Sequence, residues 1–224
     1  MPSDDFMERA DDEREMTAIA DDIDDLDDDR DLDDHRADEE DADTVTFASL
    51  GLPEEILAAV TDMGFRVPTP IQAAAIPPLL ELRDVVGIAQ TGTGKTAAFG
   101  LPLLAIVDAD ERDVQALVLA PTRELAMQSA QAIEDFAART ARLDVVPVYG
   151  GSPYGPQIGA LKRGAQVVVG TPGRVIDLIE KGALDLSNVR MLVLDEADAM
   201  LRMGVAEDVE TIASSAPADR PTAL

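Results

Sequence analysis

Two short stretches carry the residue types that phosphate chemistry needs. The first, Ala89-Gln90-Thr91-Gly92-Thr93-Gly94-Lys95-Thr96, follows the apolar run Val85-Val86-Gly87-Ile88 and opens a helix-patterned segment from Lys95 to Val107. Strand, glycine-rich turn and helix in that order suit a phosphate cradle, because the turn's backbone N–H groups and the unpaired N–H groups of the helix start converge on phosphate oxygens. In such a cradle Lys95 reaches the β- and γ-phosphates and the Thr96 hydroxyl meets Mg²⁺. The usual formula begins with glycine; Ala89 stands there instead, a small residue that still fits. The plainer alternative is an ordinary strand-to-helix connection. The second stretch, Asp195-Glu196-Ala197-Asp198, directly follows Met191-Leu192-Val193-Leu194. A carboxylate at the end of a buried strand has few reasons to be there unless a cation meets it. Beside a phosphate cradle that cation is Mg²⁺ held by Asp195, with Glu196 placed to orient or deprotonate an attacking water. Alone, the tetrad reads rather as an acidic surface turn that caps the next helix.

Both stretches must sit at the ends of strands in one sheet. Beyond the loop, strand patterns at Gln115–Ala120, Asp144–Val148, Gln166–Gly170 and Val189–Leu194 alternate with helical patterns at Thr122–Ala138, Pro153–Lys162, Pro172–Lys181 and about Val205–Ser214. The strands are continuous hydrophobic runs, as in parallel sheets covered on both faces. Repeated βα units with right-handed crossovers make a doubly wound α/β sheet that binds ligands outside the strand C-terminal ends.

Upstream, Pro53, Ile56, Leu57, Val60 and Gly64 outline a short amphipathic helix. A second helix, to about Leu80, opens in Gly64-Phe65-Arg66-Val67-Pro68-Thr69-Pro70-Ile71-Gln72, where Thr69 and Gln72 have capping-box spacing. Gln72 therefore has two readings. It satisfies the helix start, or its amide donates to one edge atom of adenine and accepts from the amino group, a pattern guanine would mispair.

The 224 residues suffice for one α/β domain and a tail, and the formal charge of −27 is unevenly spread. Residues 1–43 hold 22 acids against four arginines, leaving residues 44–224 with 23 acids against 14 bases. The domain is thus only mildly acidic, and nucleic acid is not excluded as a partner. The aspartate-rich stretch 1–43 reads as a disordered tail, either a solubilising spacer or an RNA mimic; His35, the one histidine, lies in it. With no cysteine, disulfides and thiolate metal sites are ruled out, and no structural metal is expected. The apolar runs fall well short of the roughly 18 to 20 residues of a membrane span, and the N-terminus lacks signal-peptide features, so a cytoplasmic protein is expected.

The motifs together identify a family. Gln72 in its Pro-Thr-Pro-Ile-Gln context, Ala89–Thr96, Pro121-Thr122-Arg123-Glu124-Leu125-Ala126, Gly150-Gly151, Thr171-Pro172-Gly173-Arg174 and Asp195–Asp198, in this order, resemble the first RecA-like domain of DEAD-box ATP-dependent RNA helicases, most of all the bacterial cold-shock and ribosome-assembly members. Phe47 stands 17 residues before Gly64, where the family places an isolated aromatic. The resemblance covers about residues 44–224. It implies ATP and Mg²⁺ as cofactors, adenine read by Gln72 with Phe47 or Phe65 packing on the base, and phosphates held by Ala89, Gln90, Thr91, Gly92, Thr93, Gly94, Lys95 and Thr96. It further implies Thr96 and Asp195 on the metal, Glu196 on the water, and single-stranded RNA along Pro121, Thr122, Arg123, Gly150, Gly151, Thr171, Pro172, Gly173 and Arg174.

Thr122 and Thr171 each stand at an expected helix start, where free N–H groups favour phosphates. Both also read as simple N-caps, and Arg174 as an i, i+3 partner of Asp177. Two departures stand out. Met203-Gly204-Val205 replaces the family's Gly-Phe, and Arg220–Leu224 resembles the strand that leads into the family's Ser-Ala-Thr motif, which lies beyond these residues. In the family a second RecA-like domain follows, with arginines that complete the ATP site; such a finger is worth about 10³–10⁵ in kcat. The 224 residues alone are expected to bind nucleotide weakly, hydrolyse it slowly and unwind nothing. The rival readings are a different P-loop motor acting on DNA and a non-enzymatic nucleotide- or RNA-binding module.

Overall fold

The computed structural model describes residues 17–20, 45–90, 92–138 and 143–224. Thr91, His35 and most of the acidic stretch lie outside the described residues. Unbroken aliphatic runs form β2 (Val85–Ile88), β3 (Ala116–Leu119), β4 (Val145–Val148), β5 (Val167–Gly170) and β6 (Met191–Leu194), joined by the two-residue β7 (Thr222–Ala223). All run parallel, in the order β2-β7-β6-β3-β5-β4. A 3-10 turn, Phe47–Leu50, precedes α1 (Glu54–Asp62), α2 (Pro70–Leu80), α3 (Lys95–Ile106) and α4 (Arg123–Ala137), and α5 (Tyr154–Arg163), α6 (Pro172–Glu180), α7 (Ala197–Arg202) and α8 (Ala206–Ser214) follow. The expected strands and helices beyond the loop all appear, with bounds within two residues of expectation.

Side chains of β3 alternate between two cores, as the two-residue period of a strand requires. Ala116 and Val118 pack with Ile76, Leu103 and Ile133 on one face; Leu117 and Leu119 pack with Leu178, Met200 and Ile212 on the other. The sheet is therefore sandwiched, which is why its strands carry no polar face.

The tail requires one correction. Within the stretch read as disordered, Thr17–Ala20 form a further strand, β1, parallel to β2 with Thr17 opposite Val85 and Ala20 opposite Ile88. Without it β2 is an edge strand with a row of unpaired backbone groups, and a short segment without charges or proline can pair there.

Register decides where the loops emerge. Leu119 lies opposite both Gly170 and Leu194, and Val148 opposite Gly170, so four strands end level. Backbone bonds carry the ladder one residue further: Ala120 N–H to Gly170 O at 2.9 Å, Thr171 N–H to Val148 O at 3.1 Å and Asp195 N–H to Leu119 O at 2.9 Å. At the opposite edge the buried amides of Gln115 and Gln166 clamp loop backbone at Asp108, Glu111 and Asp144, and are spent on structure.

Gly170 tests this packing. A Cβ there would meet Val148 Cγ2 at 2.6 Å, Val175 Cγ2 at 2.7 Å and Val148 O at 2.9 Å, whereas one on Gly173 meets nothing within 4 Å. Gly170→Ala is expected to destabilise the protein to urea by about 1–3 kcal/mol, with Gly173→Ala within about 0.5 kcal/mol of the parent. Equal midpoints for the two variants would contradict the packing described.

Candidate nucleotide-binding and nucleic-acid site

The glycine-rich loop leaves β2 and enters α3, whose N-cap, Gly94, has φ +91°; Gly92 has φ +88°. Residues with a Cβ rarely adopt that region, so the turn favours glycine at both positions. Thr93 braces the loop, its hydroxyl donating to Gln90 O at 2.7 Å. Lys95, Ala89, Gln90, Asp195 and Glu196 line one cavity of about 620 Å³, within the range of small-molecule sites. Lys95 Nζ lies 3.9 Å from Glu196 Oε1. The lysine-bearing loop and the acidic tetrad thus meet in one pocket. Thr96, next to Lys95 in the first turn of α3, is not among the residues lining it.

Within the tetrad the four residues diverge. Asp195 is partly buried and accepts a hydrogen bond from the Ser129 hydroxyl at 2.9 Å. Burial pushes its carboxyl pKa up, against the opposing pull of the Ser129 bond and of the Lys95 charge. Glu196 has φ +55° and ψ 49°, a left-handed conformation that costs a residue with a Cβ roughly 1 kcal/mol. Such strain is typical of functional turns. Asp198 faces solvent and pairs with Arg202 at 2.7 Å, which holds its carboxyl below the ordinary range. Asp198 and Arg202 nonetheless line the same cavity as Asp195 and Glu196.

Gln72 is 1% exposed and both ends of its amide are in use. Oε1 accepts from Thr69 N–H at 2.9 Å, closing the capping box, and Nε2 donates to Gly94 O at 3.2 Å. The helix-start reading is therefore realised, and the amide also anchors the phosphate loop, a contact the sequence did not suggest. The aromatics separate. Phe47 is 3% exposed within the core and offers no face to a base, a correction to its expected role. It meets Phe65 edge to face at 6.2 Å, and Phe65, 37% exposed, is the ring that remains accessible.

The second cluster lies past β3, β5 and β4. Thr122 caps α4, its oxygen accepting from Leu125 N–H at 3.2 Å, and Arg123 is exposed with its guanidinium 4.6 Å from the Tyr149 ring centroid. Thr171 holds the N-cap position of α6 but makes no side-chain cap bond. Gly150, Gly151 and Gly173 are exposed. Three residues expected to touch RNA are instead buried. Pro121 and Pro172 shape loop and helix start. Arg174, 7% exposed, donates to Ser152 O at 3.0 Å and Gln157 Oε1 at 3.1 Å, lies 4.1 Å from the Tyr154 ring and 3.8 Å from Asp177. It is a strut under the Gly150-Gly151 loop, with the expected i, i+3 pair as one of its contacts. Tyr149 and Tyr154 went unnoticed in the sequence, although they are the chain's two tyrosines and flank that loop.

Phosphate loop, strand-end carboxylates and all-parallel order define the phosphate-loop nucleotide-binding class with RecA-like topology. Comparison with known proteins narrows it. The family model "DEAD/DEAH box helicase" matches residues 69–224, and the chain belongs to that family. It is 57% identical over 182 residues to the ATP-dependent RNA helicase DeaD of Haemophilus influenzae, covering 81% of this chain and 30% of that protein. The DeaD helicase of Mycobacterium tuberculosis is 55% identical over 183 residues, 82% of this chain and 32% of its own length. A solved DEAD box protein from the hyperthermophile Methanococcus jannaschii matches with a TM-score of 0.76 at 44% identity, over 80% of this chain and 49% of its own. The chain spans about a third of the length of these curated relatives.

The raised Asp195 carboxyl has a consequence for stability. The folded state holds that proton more tightly than the unfolded chain, so stability falls as pH rises from the ordinary carboxylate range through the raised value, then levels off. Asp195→Asn, neutral throughout, is expected to melt higher than the parent at pH 7 in EDTA and to lack that part of the pH slope. Thermal melts from about pH 4 to 8 measure it; a lower melting point for the variant at pH 7 would refute it.

Proposed function

We propose that this chain is the ATP-binding lobe of an RNA helicase that couples ATP binding and hydrolysis to local unwinding of RNA duplexes, working in the cytoplasm beside a second RecA-like domain. The observation that carries the reading is the meeting of Lys95, Asp195 and Glu196 in one cavity at the mouth of the phosphate loop. Loop and α3 N–H groups receive the phosphates, and Lys95 adds the charge that favours them. The Asp195 carboxylate, which lines the cavity, and the Thr96 hydroxyl in the adjoining first turn of α3 are the oxygen donors that would hold a hard cation. Bound there, Mg²⁺ supplies charge neutralisation on the triphosphate. Glu196 holds the attacking water and takes its proton as the oxygen closes on the γ-phosphorus; charge developing on the leaving ADP meets Lys95 and the loop amides. Arginines of the second domain complete that charge field, which is why the lobe alone turns over slowly.

The RNA path runs over Thr122, Arg123, Gly150, Gly151, Thr171 and Gly173, where the Arg123 charge, the α6 start without a side-chain cap and glycine backbone favour sugar-phosphate contact over base reading. Contacts to 2′-hydroxyls select RNA over DNA. The reading is tested by direct binding. Lys95→Ala should lose ATP while still binding a single-stranded RNA oligomer; retained ATP affinity would favour a non-enzymatic module, and preference for the matching DNA oligomer a different motor.

Adenine selection by Gln72 requires its amide to exchange the Thr69 and Gly94 bonds for the base edge, with the accessible Phe65 ring as the surface for the base. Gln72→Ala should reduce the ratio of ADP to GDP affinity by at least about tenfold. A variant that loses both nucleotides equally would leave Gln72 as a loop anchor only.

A further inference from the structure

Ser129 lies midway along α4, 3% exposed, two turns from the helix start that carries Arg123. A serine inside a helix commonly turns its hydroxyl back on the carbonyl four residues earlier. This hydroxyl instead crosses to the sheet edge and donates to Asp195 Oδ2 at 2.9 Å, joining positions 66 apart in sequence. A carboxylate can rotate about its terminal bond, and a single donor fixed on a packed helix selects one rotation while leaving Oδ1 outside that bond. Ala126, Ala130 and Ile133 bury the same face of α4, so the donor cannot swing away without moving the helix.

We propose that Ser129 is a positioning residue for divalent-cation binding, holding the Asp195 carboxylate in the orientation that presents an oxygen to the metal beside the phosphate loop. The proposal rests on the reading of Asp195 as the Mg²⁺ ligand. Hydrogen-bond partners of metal-binding carboxylates fix ligand direction, and their loss typically lowers metal affinity by one to two orders of magnitude.

The test is a Mg²⁺ titration of ADP binding by the 224-residue protein, its Ser129→Ala and Ser129→Thr variants, Asp195→Asn and the double variant with Ser129→Ala, each with a thermal melt. In EDTA, Ser129→Ala should bind ADP within about twofold of the parent, while its half-saturating Mg²⁺ concentration rises about tenfold. Ser129→Thr, which keeps the hydroxyl, should restore most of that loss, and in the Asp195→Asn background removal of the serine should change nothing further. A Mg²⁺ half-point for Ser129→Ala within twofold of the parent, or ADP affinity lost equally with and without Mg²⁺, would overturn the proposal and make Ser129 a packing residue. If parental binding ignores Mg²⁺ or survives Lys95→Ala, the nucleotide-site reading has itself failed, and the role of Ser129 falls with it.

Discussion

The level ending of four parallel strands is the constraint on which the rest of the molecule depends. Because Val148, Gly170, Leu119 and Leu194 stand in one row, the residues after them emerge along one rim, bonded to one another by the last rungs of the ladder. Asp195 is tied through its own N–H to the strand that leads to Thr122, and Thr171 to the strand that leads to Gly150. The cavity of Lys95 and Asp195 and the proposed nucleic-acid face are therefore consecutive stretches of one edge. A one-residue slip of any strand would invert its inward and outward side chains and displace its loop, so the two cores that fix register also fix the chemistry.

Buried polar side chains then lock the loops that the rim projects. Gln72 ties the start of α2 to Gly94, and a Cβ at Gly94 would collide with that amide, so the helix start and the phosphate loop are fitted to each other. Arg174 does the same under Gly150-Gly151, with three kinds of partner on one guanidinium. Leaving such a group without partners in the interior is expensive, so these contacts rigidify what they touch. The groups left accessible are the backbone of Gly150, Gly151 and Gly173, half-buried Thr122 and Thr171, and exposed Arg123, which fits the proposed grip on a repeating phosphate chain.

Much of this was legible in the chain itself. The loop from Ala89 to Thr96 announces its own geometry because glycine, lysine and threonine each serve a local purpose, and β3 to β6 announce theirs because two-sided burial demands unbroken aliphatic runs. What could not be read depends on distant partners. Arg174 has the same sequence signature whether its guanidinium points to solvent or into the loop beneath Tyr154; only the approach of α5 decides. Phe47 matched a family spacing, yet its burial follows from Phe65 and the surrounding core. Ser129 lies 66 positions from its acceptor, with no local pattern to mark it. Thr17–Ala20 hid among aspartates, since composition averaged over the tail masks four residues that complement a sheet edge.

The left-handed backbone at Glu196 carries an evolutionary implication. A carboxylate with a Cβ is kept where glycine or asparagine would sit more comfortably, so the fold carries a standing penalty of about 1 kcal/mol, a sizeable share of a domain's margin. On the proposed role of Glu196, selection for that chemistry is the force that would oppose its repair. In a duplicated gene relieved of that selection, drift at position 196 toward glycine or asparagine would be among the early marks of a lobe that has given up the proposed chemistry.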